Sequence, residues 1–397
     1  MLIRDGSGFM QATINKKVVG QEIFDKVEKL SQESAIIFEG DAKEDKRAPG
    51  GYELQVEKIE IVSEAEGDFP ITKKKHGPEF LLDNRTFWIR SQKMHNIMII
   101  KAKIVEAARD YFKKEKFLEV QVPSIVGTAV EGGSTLFELK YFDKKAYLTQ
   151  SWQLYGEAMI FAFGKCYTLA PSFRAEPSRT RRHLTEYWHL EAEMPFCGFE
   201  GNLKIQEELI EHICHTVAKE CEKELTVLGR NPKDLLKVKA PFPRITYDEA
   251  VKTLEKDGVK FKSGQRLGAD EEAVLTKHFD IPFFVHHFPT HMMVFYHRPD
   301  PKDPKFTLSA DLLAPEGYGE IIGGSERLTD KEELLRKIKA EKLDPDAYKW
   351  YIDLRRWGSV PHSGFGLGIE RTVMWICKLK HIRDAIAFPR MMNRIYP

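Results

Sequence analysis

Apolar positions along the chain change rhythm, and the change separates two kinds of element. Near the N-terminus the period is two. Ala35-Ile36-Ile37-Phe38 is a short apolar run, Leu54 and Val56 alternate with polar neighbours, and Ile59 and Ile61 continue in the opposite phase. A phase change inside a strand calls for a bulge or a bend. Ala48-Pro49-Gly50-Gly51 reads as the turn between two strands. Ile23, Phe24, Val27 and Leu30 fall on one face of an amphipathic helix. Short strands with one helix over residues 1–70 predict a small β-barrel. Residues 71–92, with Lys73-Lys74-Lys75-His76-Gly77-Pro78, read as a polar hinge closed by a breaker.

From Lys93 the period lengthens. Ile97, Ile100, Ile104, Ala108 and Tyr111 predict a long helix, followed by a strand-like segment with Pro123. Leu209, Ile213 and Val217 predict a second helix over about 201–225. Phe283-Phe284-Val285 and Met292-Met293-Val294-Phe295-Tyr296 read as strands, and a last helix is expected near 367–379. Without a regular βαβ rhythm, the expectation for 93–397 is an α+β domain on an antiparallel sheet. The barrel ahead of it has an OB-fold as one candidate, a fold that often binds nucleic acid.

Composition narrows the classes. The 397 residues carry 61 Lys+Arg against 60 Asp+Glu, a net charge of +1, which excludes a polycationic tail but not a local basic face. No apolar run is long enough for a membrane span, and the first residues lack an apolar signal core. Five scattered cysteines suggest a reducing compartment, and a cytoplasmic location is expected.

Two signals mislead. Gly364-Phe-Gly-Leu-Gly368 lacks the G-x-G-x-x-G spacing, and no P-loop occurs. His286, His287, His291 and His297 crowd together, but strand alternation sends neighbours to opposite faces and disfavours a metal site. The densest chemistry lies in 171–187. Arg174 and Glu176 sit two apart, as on one face of a strand, and Arg179, Arg181, Arg182 and His183 follow. Glu191 and Glu193 repeat the two-residue spacing. Planar guanidinium groups in a row suit a polyphosphate; an ion-pair ladder on a hairpin is the alternative. Gly364, Gly366 and Gly368 would clear one strand face for a flat ligand. Asp311 and Glu320 offer oxygen ligands for Mg²⁺. Together these predict an ATP site without a P-loop.

On these residues the chain resembles the class II aminoacyl-tRNA synthetases. Phe173-Arg-Ala-Glu176 with His183 and Tyr187 is similar to their motif 2, Gly364–Arg371 to motif 3, and the helix from 93 with the Pro123 segment to motif 1, the dimer-forming element. An OB domain ahead of this core resembles subclass IIb, and the likeness is greatest to asparaginyl-tRNA synthetases of the archaeal type. The resemblance implies an amino-acid carboxylate attacking the α-phosphorus of ATP, then transfer of the aminoacyl group to tRNA(Asn). It implies that Arg174 holds the α-phosphate and carboxylate, and that Glu176 reads the adenine or the tRNA end. Arg182 and His183 would contact phosphates, and Tyr187 and Arg371 would sandwich the adenine beside Gly368. Glu320 and Asp311 would hold Mg²⁺. Gln11 and Glu53 would read anticodon bases, and a homodimer would form through motif 1.

The resemblance also bears on the amino acid. Aspartyl enzymes carry Lys-Gln where this chain has Gly156-Glu157. A substrate carboxylate would lose its cation and face Glu157, whereas the L-asparagine amide could donate to it. Arg327 would donate to the amide oxygen, and Glu131 with Gln153 would hold the ammonium group. Glu157→Gln is therefore expected to weaken selection for asparagine. Trp152, where relatives often have a smaller residue, is expected to reshape the pocket wall. Family members begin upstream with a first barrel strand, so an OB domain lacking that strand, or a start set too far downstream, is expected. Aspartyl-tRNA synthetase, an ammonia-dependent asparagine synthetase paralogue and a non-catalytic RNA-binding protein are the competing readings.

Overall fold

The computed structural model describes residues 1–130, 135–177 and 180–397. The chain divides into Met1–His95 with Tyr396–Pro397, and Asn96–Ile395. In the first unit the strands lie in the order Leu2–Asp5, Gly8–Ile14, Tyr52–Ser63, Ala35–Glu44. The expected phase change is a bulge: Glu39 faces Lys58 while Gly40 faces Val56, so Glu57 is extra. The turn before Tyr52 is a single 3₁₀ turn, Pro49–Gly51, with Gly50 at φ 81° and Gly51 at φ 79°, a region only glycine enters freely.

The 71–92 segment contains two short helices. Pro78–Asp83 and Arg85–Trp88 are helical, with Leu82 and Arg85 buried. Gly77-Pro78, read as a breaker, is a helix start, because proline at the first helical position gives up an N–H that would have no partner there.

In the second unit, among the described residues, eight strands form one sheet. Its order is Arg244–Thr246, Phe283–His286, Ser309–Ala314, Gly319–Glu326, His362–Gly368, Glu186–Pro195, Cys166–Phe173, Leu118–Glu119. The inner pairings are antiparallel, as expected, and a short strand closes each edge in parallel. Helix Gln92–Lys114 buries Ile97, Ile100, Ile104, Ala108 and Tyr111, the positions its period selected. Helix Phe199–Glu220 ends at Cys221, earlier than expected.

Met292–Tyr296 is not a strand. It is the end of a 3₁₀ turn and a loop. Phe295 and Tyr296 sink into a core cluster with Leu328, Tyr348 and Tyr351. A buried loop and a buried strand leave the same apolar run in sequence, which is why the pattern misled.

Candidate active site

The cleft opens on the strands Glu186–Pro195, Gly319–Glu326 and His362–Gly368 and on the start of helix Ile369–Ile376. One recess is lined by Arg174, Glu176, Arg182, His183, Tyr187, Glu320, Gly368 and Arg371, so the chain folds these sequence-selected residues around one space. Arg174 and Glu176 lie just beyond the end of strand Cys166–Phe173, not on it as expected. The Arg174 guanidinium sits 5.7 Å from the Tyr187 ring centroid. Arg371 Nη1 donates to Glu320 Oε2 at 2.8 Å. Arg182 Nη1 donates to Glu272 Oε2 at 2.7 Å, and the same oxygen accepts the Glu320 N–H at 2.6 Å.

These neighbours set the charge states. Burial works to raise the Glu320 carboxyl, but Arg371 and Arg182 overcome it and hold it at about 2. His183 is pushed down to about 4, first by burial and then by the Arg371 and Arg182 cations, so it is neutral at pH 7. Burial, then the carboxylates of Glu320 and Glu272, push Asp311 well above its ordinary value. Glu370 accepts from Lys101 Nζ at 2.5 Å and from the Trp188 N–H at 2.9 Å, which fixes the helix start that carries Arg371.

Asp311 and Glu320 converge through a bulge. Leu312 pairs with Ile322 but Leu313 pairs with Glu320, leaving Ile321 extra and re-aiming Glu320. A Cβ built on Gly323 would lie 3.4 Å from Asp311 Oδ1 and 3.5 Å from Glu320 Oε1. Among the described residues no group of three or more acidic, His or Cys ligands gathers anywhere. Two carboxylates crowded in a half-buried site, one held ionised, suit Mg²⁺, which binds proteins through one or two carboxylates and takes its other ligands from phosphate and water.

The glycines of His362–Gly368 make room for protein side chains, and Gly366 and Gly368 also line the recess. A Cβ on Gly364 would fall on the Glu193 carboxylate, and one on Gly366 on the His189 ring. They are small because the neighbouring strand sends polar side chains across them. Gly368, where a Cβ would meet nothing closer than 3.6 Å, is the most open of the three.

An adjoining cleft of about 840 Å³ shares Arg174, Glu176, His189, Glu320 and Gly366 with the first recess and adds Ser151, Gln153, Glu191, Asp311 and Arg327. Arg327 is gripped from behind, with Nη2 donating to Glu193 Oε1 at 2.5 Å and Nε to Oε2 at 3.2 Å. Glu157 does not open on this cleft. Its side chain is fully buried and accepts from Arg355 Nη2 at 2.5 Å, Tyr351 Oη at 2.7 Å, His362 Nε2 at 2.9 Å and Gln153 Nε2 at 3.1 Å. Burial works to raise its carboxyl, but Arg355 and then His362 hold it far below the usual carboxylate range. The expectation that Glu157 faces the substrate side chain is thereby corrected: its helix turns it into the core.

Trp152 does not form the cleft wall either. It packs with Val120, Ile160 and Cys166, and a Cβ on Gly156 would come 2.8 Å from its ring. The indole therefore fills the space above Gly156. Arg355, Tyr351, His362, Glu193 and Glu272 escaped the sequence reading of this site or its roles, since only the fold brings them to their partners. Glu131, and Arg179 of the basic loop, lie outside the described residues. The crowded histidines form no metal group among the described residues: His297 Nδ1 donates to the Val294 carbonyl at 3.0 Å, and His286 and His287 contact each other. In the first unit Gln11 and Glu53 are paired across adjacent strands, with Gln11 Nε2 donating to Glu53 Oε2 at 3.2 Å.

Comparison with known proteins decides the family. The family described as tRNA synthetases class II (D, K and N) matches residues 77–392, and the OB-fold nucleic acid binding domain matches residues 1–62. The chain belongs to the class II tRNA synthetases. This synthetase is 51% identical to the asparagine–tRNA ligase of Pyrococcus abyssi, over all of this chain and 91% of the relative. It is 48% identical to that of Desulforamulus reducens, over all of this chain and 92% of the relative. The crystal structure of asparaginyl-tRNA synthetase from Pyrococcus horikoshii complexed with asparaginyl-adenylate superposes with a TM-score of 0.96 at 51% identity, covering all of this chain and 92% of that one. Among the described residues no helix is long and apolar enough to cross a membrane.

Proposed function

We propose that this synthetase activates L-asparagine with ATP and transfers it to tRNA(Asn), by charge stabilisation at one end of the cleft and charge balance at the other. The chain is an asparagine–tRNA ligase. An asparagine carboxylate oxygen bonds to the α-phosphorus as the bond to pyrophosphate breaks. A ribose hydroxyl of tRNA then takes the acyl group, and AMP leaves. Neither step uses a covalent bond to the protein, so positioning and electrostatics carry the rate.

Arg174 meets the α-phosphate and the attacking carboxylate, and its guanidinium strengthens as an anchor as charge grows on the phosphoryl oxygens. Tyr187 and Arg371 take the adenine between them next to Gly368, with Glu176 at its edge. Arg182 adds a fixed positive charge toward the terminal phosphates. His183, neutral, contributes an N–H rather than a charge. Asp311 and Glu320 would hold Mg²⁺, which neutralises phosphate charge when bound.

Selection follows from Arg327. Burial pushes the Glu193 carboxyl up to about 7, but its two-point contact with Arg327, at 2.5 and 3.2 Å, makes it the counter-charge of that guanidinium, so the floor facing the substrate side chain is near neutral. An amide oxygen accepts from Arg327 without disturbing that pair. An aspartate carboxylate competes with Glu193 for the same cation, and the indole over Gly156 leaves no room for a second one. A buried charge without its own partner costs several kcal/mol. Gln153 and Glu191 accept from the ammonium group, with Glu131 as a further partner, and Gln11 and Glu53 face the anticodon. The second copy of a dimer joins along helix Gln92–Lys114 and the segment after it, where Ile99 and Leu118 are exposed.

The pairing of Arg327 with Glu193 beside the Arg174–Glu320–Arg371 recess carries this reading. Aminoacylation of a tRNA(Asn) transcript with labelled asparagine and, in parallel, labelled aspartate tests it. Charging with asparagine alone is expected; charging with aspartate, or ammonia-dependent formation of free asparagine, would overturn it.

A further inference from the structure

Gln153 can present either end of its amide to the cleft. The oxygen and nitrogen ends are nearly isosteric, so shape does not decide between them. A substrate ammonium group needs the oxygen. Something behind Gln153 must choose, and Glu157 stands there.

Glu157 follows Gln153 by one helical turn, and its carboxylate is a meeting point of donors. Tyr351 Oη lies 2.7 Å from one oxygen and 2.8 Å from the other. Arg355 Nη2 lies 2.5 Å from Oε2, and His362 Nε2 lies 2.9 Å from Oε2. Arg355 Nη2 also donates to the Leu328 carbonyl at 3.0 Å, and His362 Nδ1 contacts the Val360 carbonyl at 2.7 Å, so the clamp is itself tied to the backbone. An ionised carboxylate surrounded this way has only acceptors to offer. Gln153 can approach it only with its NH₂, as it does at 3.1 Å, and the carbonyl end is left for the cleft that Gln153 lines.

We propose that Glu157 is a positioning residue that fixes the polarity of the Gln153 amide, so that the amino-acid pocket receives a hydrogen-bond acceptor rather than a donor. Tyr351, Arg355 and His362 hold Glu157 for this task. The proposal rests on the reading that Gln153 meets the substrate ammonium group. It replaces the sequence expectation of direct contact between Glu157 and the substrate side chain, and the two differ in outcome. Polarity at the ammonium group serves asparagine and aspartate alike, whereas contact with the side chain separates them.

The test is pyrophosphate exchange with the full chain, varying asparagine, aspartate and ATP. In Glu157→Gln the new amide can turn either end outward, and Gln153 is no longer held. The KM for asparagine is expected to rise roughly 10-fold, the loss of one charge-assisted hydrogen bond. The KM for ATP, kcat and the asparagine-to-aspartate preference stay the same. Because Glu157→Gln leaves Arg355 buried without its counter-charge, Glu157→Gln/Arg355→Gln is measured beside it, and thermal melting identifies the variant that keeps the fold. In a Gln153→Ala background the Glu157 substitution is expected to add nothing, since it acts through Gln153. A full additive effect in the Gln153→Ala background, or a changed asparagine-to-aspartate preference, overturns the proposal. An unchanged KM in Gln153→Ala alone instead overturns the reading of Gln153 as a substrate contact.

Discussion

At one end of the cleft Arg174, Arg182 and Arg371 crowd a recess in which His183 is kept neutral and Glu320 ionised. At the other, Arg327 is closed off by the buried Glu193, while Arg355 and Glu157 pair in the core outside the cleft. Both ends hold arginine near carboxylate. They differ in what is left over. The first leaves guanidinium edges facing an open space, which suits a polyanion whose charge grows during reaction. The second spends its charges on itself and leaves a floor that is near neutral, polar and rigid, which suits a zwitterion with an uncharged side chain. In the proposed mechanism the same residue type serves catalysis where, although paired with a carboxylate, it still lines an open recess, and selectivity where a buried carboxylate takes up its charge.

The comparison breaks most sharply at Arg371. Arg371→Ala is expected to slow asparagine-dependent pyrophosphate exchange by roughly 10²- to 10³-fold, the scale for losing one preorganised electrostatic contact at developing charge. Thermal melting should change far less, and a rate within a few-fold of wild type would remove Arg371 from the reactive end.

Glu193→Gln sharpens the other side. It strips Arg327 of its counter-charge and makes the floor cationic. The ratio of kcat/KM for asparagine over aspartate should fall roughly 10- to 10²-fold, mainly through better use of aspartate. Parallel exchange assays with the two amino acids read this directly. An unchanged ratio would mean that charge balance at Arg327 does not set selection.

Gly366→Ala touches the wall shared by both regions. The new methyl group meets the His189 ring, and overpacking of this kind costs about 1–3 kcal/mol. The melting temperature should fall, and the asparagine-to-aspartate ratio should not.

The smallest effect is on pH. His183 titrates at about 4 in the folded chain against an ordinary 6.5, because burial and the Arg371 and Arg182 cations disfavour its charged form. His286 is likewise held at about 4, by burial first and then by His287. Between 6.5 and about 4 the unfolded chain binds protons at these positions and the folded chain does not, so stability falls as pH falls through that window. Melting curves from pH 7 to pH 4.5 should shift down, and less so in His183→Gln.

How much of this was legible in sequence follows the same division. The stretch from Arg174 to Tyr187 at the proposed reactive end is local, although Glu320 and Arg371 join it from far along the chain. Arg174, Glu176, His183 and Tyr187 lie within one short stretch, and their residue types already point to phosphate. The long helix Gln92–Lys114 was legible too, because one period buries one face. The selective end is not local. Glu193 reaches Arg327 across 134 positions of sequence, and Glu157 reaches Arg355 across 198 and His362 across 205. No spacing rule covers such distances, so Glu157 read as a pocket residue when it is a core residue. The alternating glycines were only partly legible for a related reason. A missing side chain announces close approach, but not whether the approaching group is a ligand or a neighbouring strand.

The most direct test of the charge-balanced floor is the ratio of kcat/KM for asparagine over aspartate in pyrophosphate exchange by the unmodified chain. A preference for asparagine of roughly 10²-fold or more is predicted, from a carboxylate competing for an already neutralised guanidinium. Comparable use of the two amino acids, or a preference for aspartate, would contradict it.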